Sequence, residues 1–242
     1  MPNVLITGSA RGLGLEMVKR FAAQGDFVIA TSRKSSPGIE EVVAQSNGRV
    51  VFVPLEVTDE ASVSQSVKET QSILGQSSLD ILVNCAGVAS ALDGKVAQMD
   101  NLEWHMSVNV TGVHNVTRAY LPLMQSGQVK KVINISSALG SITKAPQMTF
   151  ATAPAYKISK AALNALTVQY ALSYQDEGFT FIALCPGWVQ TDMGSEKAHL
   201  TVDQGVRGIM EVINSVEQKD NGTFKNTYHP GWDIYDGKGI PF

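Results

Sequence analysis

Residues 3–14 read Asn3-Val4-Leu5-Ile6-Thr7-Gly8-Ser9-Ala10-Arg11-Gly12-Leu13-Gly14, a short apolar run broken by three glycines. Val-Leu-Ile in a row suits a strand buried on both faces. Helical periodicity takes over across 13–24, and Gly25 is placed to end that helix. Glycines between a strand and a helix let the main chain turn tightly and approach a pyrophosphate, while the N–H groups that open the helix attract the anion. The stretch therefore predicts strand, phosphate cradle and helix, with Gly8, Arg11, Gly12, Leu13 and Gly14 as contacts.

Working outward, the same alternation repeats along the chain. Strands are expected at 3–7, 27–31, 50–55, 79–84, 131–136 and 179–184, with a short seventh at 232–235. Helical patterns fill 13–24, 39–45, 60–74, 101–124, 154–177 and 202–216. Strict β-α alternation predicts an α/β Rossmann fold, a doubly wound parallel seven-stranded sheet with helices on both faces. One domain of 242 residues is expected, its 1–135 half mainly binding a dinucleotide and its 136–242 half carrying catalysis and substrate binding.

Composition excludes several classes. Nineteen Lys and Arg against 22 Asp and Glu leave a formal charge of -3, so no basic face for nucleic acid is expected. No stretch reaches the roughly 18 apolar residues of a membrane helix. The N-terminus lacks a basic signal-peptide region, and Cys85 and Cys185 each follow an apolar run as small buried thiols, so a cytoplasmic protein is expected. The four histidines show no metal-ligand spacing.

The end of the second strand selects the dinucleotide. It reads Ala30-Thr31-Ser32-Arg33-Lys34, without the carboxylate that accepts a ribose 2′-hydroxyl. Arg33 suits a 2′-phosphate, Ser32 can donate to it, and Arg11 offers a second cation, which favours NADP(H). Further along, Tyr156-Lys157-Ile158-Ser159-Lys160 puts Tyr156 and Lys160 on one helical face. A nearby ammonium would bring a phenol down from about 10 toward neutrality.

With these motifs the chain resembles the short-chain dehydrogenase/reductase family. The spacing Gly8-x-x-x-Gly12-x-Gly14 is the family's, as are Asn84-Cys85-Ala86-Gly87, Asn109-Val110-Thr111-Gly112, Asn134-Ile135-Ser136-Ser137 and Pro186-Gly187-Trp188-Val189-Gln190-Thr191. The resemblance implies that Tyr156 is the general acid toward a carbonyl and that Ser137 binds the same oxygen, with Ser136 as runner-up. It implies that Lys160 tunes Tyr156 and holds the nicotinamide ribose, and that Asn109 holds a water leading to solvent. It adds Glu56, Val57, Asn84, Ala86, Gly87, Tyr156, Lys160, Pro186, Gly187, Val189 and Thr191 to the cofactor contacts. Glu56 stands where the family has Asp, one methylene longer.

The interval between Ser137 and Tyr156 is longer than the family's common one. This and the ending Asp236-Gly237-Lys238-Gly239-Ile240-Pro241-Phe242 look like the branch of sniffer-type carbonyl reductases, bacterial C-factor proteins and fungal ketoreductases. Met148, Phe150, Trp188 and Met193 are candidates for an apolar substrate mouth beside Ser137, and 193–203 for a lid over it. The leading expectation is an NADPH-dependent carbonyl reductase for a small apolar or aromatic carbonyl compound, as a homodimer or homotetramer. The alternatives are a non-catalytic NADP-binding regulator and an NADP-dependent alcohol dehydrogenase working oxidatively.

Overall fold

The computed structural model describes residues 1–91 and 95–242. Apolar runs at Val4-Leu5-Ile6 and Val28-Ile29-Ala30 lose all contact with solvent, which drives them into the middle of a sheet. They form β1 (Asn3–Thr7) and β2 (Phe27–Ser32), followed by β3 (Val50–Pro54) and β4 (Ile81–Asn84). β1 pairs in parallel with β2 on one side (Leu5 opposite Ile29) and β4 on the other (Leu5 opposite Leu82). β5 (Lys131–Ile135), β6 (Thr180–Cys185) and β7 (Phe224–Asn226) complete a seven-stranded sheet in the order β3-β2-β1-β4-β5-β6-β7. The order reverses between β1 and β4, so their carboxyl ends flank the crevice where such sheets bind ligands.

Packing divides the chain into two compact units. The first comprises Met1–Ala86 and Gly112–Ile133. It holds α1 (Gly12–Gln24), α2 (Pro37–Gln45) and α3 (Glu60–Leu74). Gly25 ends α1 in the left-handed conformation (φ 94°), and Asp59 caps α3 by accepting from Ala61 N–H at 2.9 Å. The second comprises Gly87–Thr111 and Asn134–Phe242. Among the described residues, no helix is long and apolar enough to cross a membrane.

Three expected elements come out differently. The pattern over 101–124 is α4 (Leu102–Met106), a π-helical segment Ser107–Gly112 and α5 (Val113–Met124). Periodicity cannot reveal that widened turn, because it leaves the apolar residues on one face. The helix from Pro154 stops as α6 (Pro154–Ser173), and Gln175–Glu177 is a 3₁₀ turn. The last helix is α7 (Val202–Ser215).

The seventh strand is Phe224–Asn226, not 232–235. Phe224 and Asn226 are buried in register with Ala183 and Cys185 of β6. The segment Trp232-Asp233-Ile234-Tyr235 instead closes a turn, with Tyr235 N–H donating to Trp232 O and His229 N–H to Tyr235 O, both at 2.9 Å.

Candidate active site

The glycine turn lies in the first unit, and its backbone is too close-packed for side chains. A Cβ on Gly14 would stand 2.3 Å from Gly8 O, and one on Gly8 (φ +69°) would stand 2.8 Å from Ala86 Cα. Thr7, at the end of β1, ties this turn to β4, its Oγ1 accepting from Cys85 and Ala86 N–H at 3.0 Å each. Asn84 is buried and donates to Thr117 Oγ1 at 3.0 Å. The first turn of α1 holds no acidic residue, and Arg11 at its N-cap gives no side-chain cap. An unprotected helix start framed by glycines fits a pyrophosphate.

Beyond β2, Arg33 has an 81% exposed side chain whose Nε lies 3.8 Å from Glu56 Oε2, a long and solvent-screened pair. Glu56 otherwise binds its own turn, accepting from Thr58 N–H and Oγ1 at 3.2 and 3.0 Å, and Val57 is buried beside it. Ser32 departs from its expected role. It is buried and its hydroxyl donates to Lys34 O at 2.7 Å, so the tight turn after β2 uses the donor expected for a phosphate.

In the second unit, α6 carries Tyr156, Ser159 and Lys160, with Pro154 at its first position. The hydroxyl of Tyr156 hydrogen-bonds Ser137, which caps the 3₁₀ turn Ala138–Gly140 by accepting from Leu139 N–H at 3.2 Å. Ser136 points elsewhere, buried and donating to Asn164 Oδ1 at 2.6 Å. Only Ser137 of the pair faces the phenol. A Cβ on Gly140 would stand 2.7 Å from Lys160 C, so that turn lies directly on α6.

Burial pushes the Tyr156 phenol up to about 12, against a downward pull from the Ser137 hydrogen bond. The expected lowering by Lys160 is absent. Lys160 Nζ sits 5.6 Å from the ring centroid and donates to Ile135 O at 2.8 Å. Desolvation outweighs a cation directed at a carbonyl.

Asn109 lies in the π-helical segment with its side chain fully engaged. Its Oδ1 accepts from Val88 N–H at 2.8 Å, and its Nδ2 donates to Val88 O and Ser159 Oγ at 2.9 Å each. Gly87 lies against it, since a Cβ there would be 3.2 Å from Asn109 Oδ1 and 3.7 Å from Lys160 Nζ. His105 carried no expectation, yet it is fully buried and edge-on to Tyr156 at 6.5 Å. A histidine one helical turn before Asn109 was its only trace in the sequence.

After β6, Gly187 adopts φ +83°, Val189 is buried, and Thr191 Oγ1 accepts from Gly194 N–H at 3.1 Å. Of the expected substrate mouth, Phe150 is 73% exposed, Met193 52% and Trp188 40%, while Met148 O accepts from Lys157 Nζ at 2.6 Å. The indole of Trp188 donates to Gly194 O at 2.6 Å, which holds it on the loop that carries Met193. The segment 193–203 is anchored near its far end. Leu200 is buried and its N–H donates to Trp188 O at 3.1 Å, while Thr201 caps α7.

The short chain dehydrogenase family matches over residues 2–200, and the chain belongs to that family. It is a short-chain oxidoreductase. The oxidoreductase UcpA of Escherichia coli is 34% identical over 199 residues, covering 81% of this chain and 72% of that protein. Among solved structures, an NADPH-bound carbonyl reductase from chicken fatty liver superposes with a TM-score of 0.88 at 31% identity, over 100% of this chain and 94% of that one. The carbonyl reductase Sniffer of Drosophila melanogaster superposes with a TM-score of 0.85 at 27% identity, over 100% of both chains.

Proposed function

We propose that this oxidoreductase is an NADPH-dependent carbonyl reductase that takes small apolar or aromatic aldehydes and ketones to alcohols. The observation that carries the reading is the meeting of the Tyr156 hydroxyl with Ser137, with Lys160 Nζ 5.6 Å from the phenol ring. A phenol is protonated at neutral pH and so has a proton to give to a carbonyl oxygen. Ser137 would donate to the same carbonyl oxygen and stabilise its growing charge. Lys160 and Asn109, fixed by Ile135 O and by Val88 and Ser159, would lead a replacement proton back to Tyr156. Bound NADPH supplies the hydride.

The residues suited to the cofactor divide by chemistry. The cradle Gly8–Gly14 suits the diphosphate. Arg33 suits the 2′-phosphate, because its guanidinium is exposed and only weakly paired. Lys160 suits the nicotinamide ribose. NADPH in the relative from chicken fatty liver supports the same choice here.

The test is NADPH and NADH oxidation by the purified protein against aldehydes, quinones and aromatic ketones, with Tyr156→Phe as control. NADPH-dependent turnover that vanishes in the variant is expected. NADPH binding without turnover of any carbonyl compound would overturn the reading and favour a regulator. Activity only with alcohols and NADP⁺ would assign the oxidative direction.

A further inference from the structure

His199, from the segment 193–203, and Trp232 and Tyr235, from the expected seventh strand, converge on Trp188 in the second unit. The main-chain N–H of Trp188 donates to Tyr235 Oη at 3.1 Å, and the same hydroxyl is hydrogen-bonded to His199 Nδ1 at 2.9 Å. The His199 ring stacks on Trp232, with centroids 4.3 Å apart and planes 14° apart, and meets Trp188 edge-on at 5.1 Å. The indole N–H itself is held by Gly194 O at 2.6 Å. Gly187 lets the chain lie flat on this cluster, since a Cβ there would come 2.7 Å from Leu200 Cδ1 and 3.2 Å from Tyr235 Cε1. Tyr235 is buried, whereas Trp188 and Trp232 stay 40% and 38% exposed. The indole is thus fixed from behind and open in front.

The brace is continuous with the candidate reaction centre. Cys185 Sγ accepts the N–H of Gly187 and, at 3.2 Å, the N–H of Ala138, next to Ser137. That shared sulfur places the 187–188 segment beside the turn that presents Ser137.

We propose that His199 and Tyr235 are positioning residues that hold Trp188 as a rigid aromatic wall, and that this wall favours planar aromatic carbonyl compounds over compact aliphatic ones. The proposal rests on the carbonyl-reductase reading for its substrate class, and on hydrogen bonds and ring contacts alone for the brace. A rigid indole stacks on a flat substrate without having to be ordered first, whereas a loosened one loses that advantage. A small aldehyde gains little from the wall in either state.

The experiment compares 2-naphthaldehyde with propanal, using NADPH and the variants Tyr235→Phe, His199→Ala and His199→Phe. Tyr235→Phe and His199→Ala should raise KM for 2-naphthaldehyde about tenfold, leaving its kcat and the propanal kcat/KM within about twofold. His199→Phe keeps the ring between the two indoles and should recover most of the loss seen in His199→Ala. A parallel fall for both substrates, or no change for either, would overturn the proposal. If the wild-type protein reduces neither compound, the substrate preference falls with the reductase reading. Acrylamide quenching of tryptophan fluorescence then decides the brace. Tyr235→Phe should add quenching that is absent when Trp188→Phe is combined with it, and equal quenching in both would refute the brace.

Discussion

Around the cradle of residues 7–14 the useful groups are main-chain N–H groups, and the decisive feature of the side chains is that they are missing. Around Tyr156 the reverse holds. Asn109, Ser136, Ser159, Lys160 and Asn164 are all buried, and each is hydrogen-bonded to a neighbour in its own unit. A pyrophosphate is bulky and fully charged, so exposed backbone dipoles serve it well. Moving a proton to one carbonyl oxygen needs side chains whose protonation and direction are fixed, and that fixing takes a buried network. The two regions should fail differently when disturbed.

The largest contrast comes from Tyr156→Phe. It should lower kcat by about 10²–10⁴ while the NADPH dissociation constant, read by fluorescence titration, changes less than about threefold. A large loss of NADPH affinity would mean that the phenol mainly binds cofactor.

The adjacent serines sharpen the point within one region. Ser137→Ala should cost about 10²-fold in kcat, as for one oxyanion donor. Ser136→Ala should leave kcat within about threefold but destabilise the fold by about 1–3 kcal/mol, because Asn164 Oδ1 loses its buried donor. Thermal unfolding and steady-state rates on both variants check this, and exchanged phenotypes would reverse the assignment.

On the cradle side, Arg33→Ala should weaken NADPH about tenfold or more and leave NADH nearly unchanged, as removal of a charge-assisted phosphate contact requires. Isothermal titration with both cofactors decides it, and equal losses for both would break the assignment of the 2′-phosphate to Arg33. Gly14→Ala, by contrast, should destabilise the protein by about 1–3 kcal/mol, since the clash at 2.3 Å is with backbone that cannot rotate away.

The last effect concerns pH. A phenol raised to about 12 in the folded state, against about 10 when unfolded, favours the fold below pH 10, and that contribution fades as pH rises toward 12. Denaturant unfolding should show this loss in wild type and a smaller one in Tyr156→Phe. Identical profiles would argue against the raised value.

The contrast between the regions also explains what was legible. The glycine turn could be read directly because its reason is local, Gly8 and Gly14 standing where the backbone leaves no room for a Cβ. The strands β1 to β6 were legible for a related reason, since runs such as Val4-Leu5-Ile6 have few ways to hide from water. The terminal strand was not, because Phe224-Lys225-Asn226 is too short to show a period and Trp232 and Ile234, apolar on either side of Asp233, mimic one. The widened turn at Asn109 and the inward direction of Ser32 escaped for the same reason, as each depends on a neighbour distant in the chain or on hydrogen-bond geometry.

By itself the sequence determined the α/β alternation, the glycine turn between β1 and α1 and the family to which the chain belongs. All of these follow from residue type and short-range spacing. Only the tertiary structure decided that Ser136 turns to Asn164, and that Lys160 answers a carbonyl while burial raises the phenol. It also brought His199 and Tyr235 behind Trp188. These outcomes depend on which buried groups meet across turns of the chain, where desolvation makes each missing or added partner count.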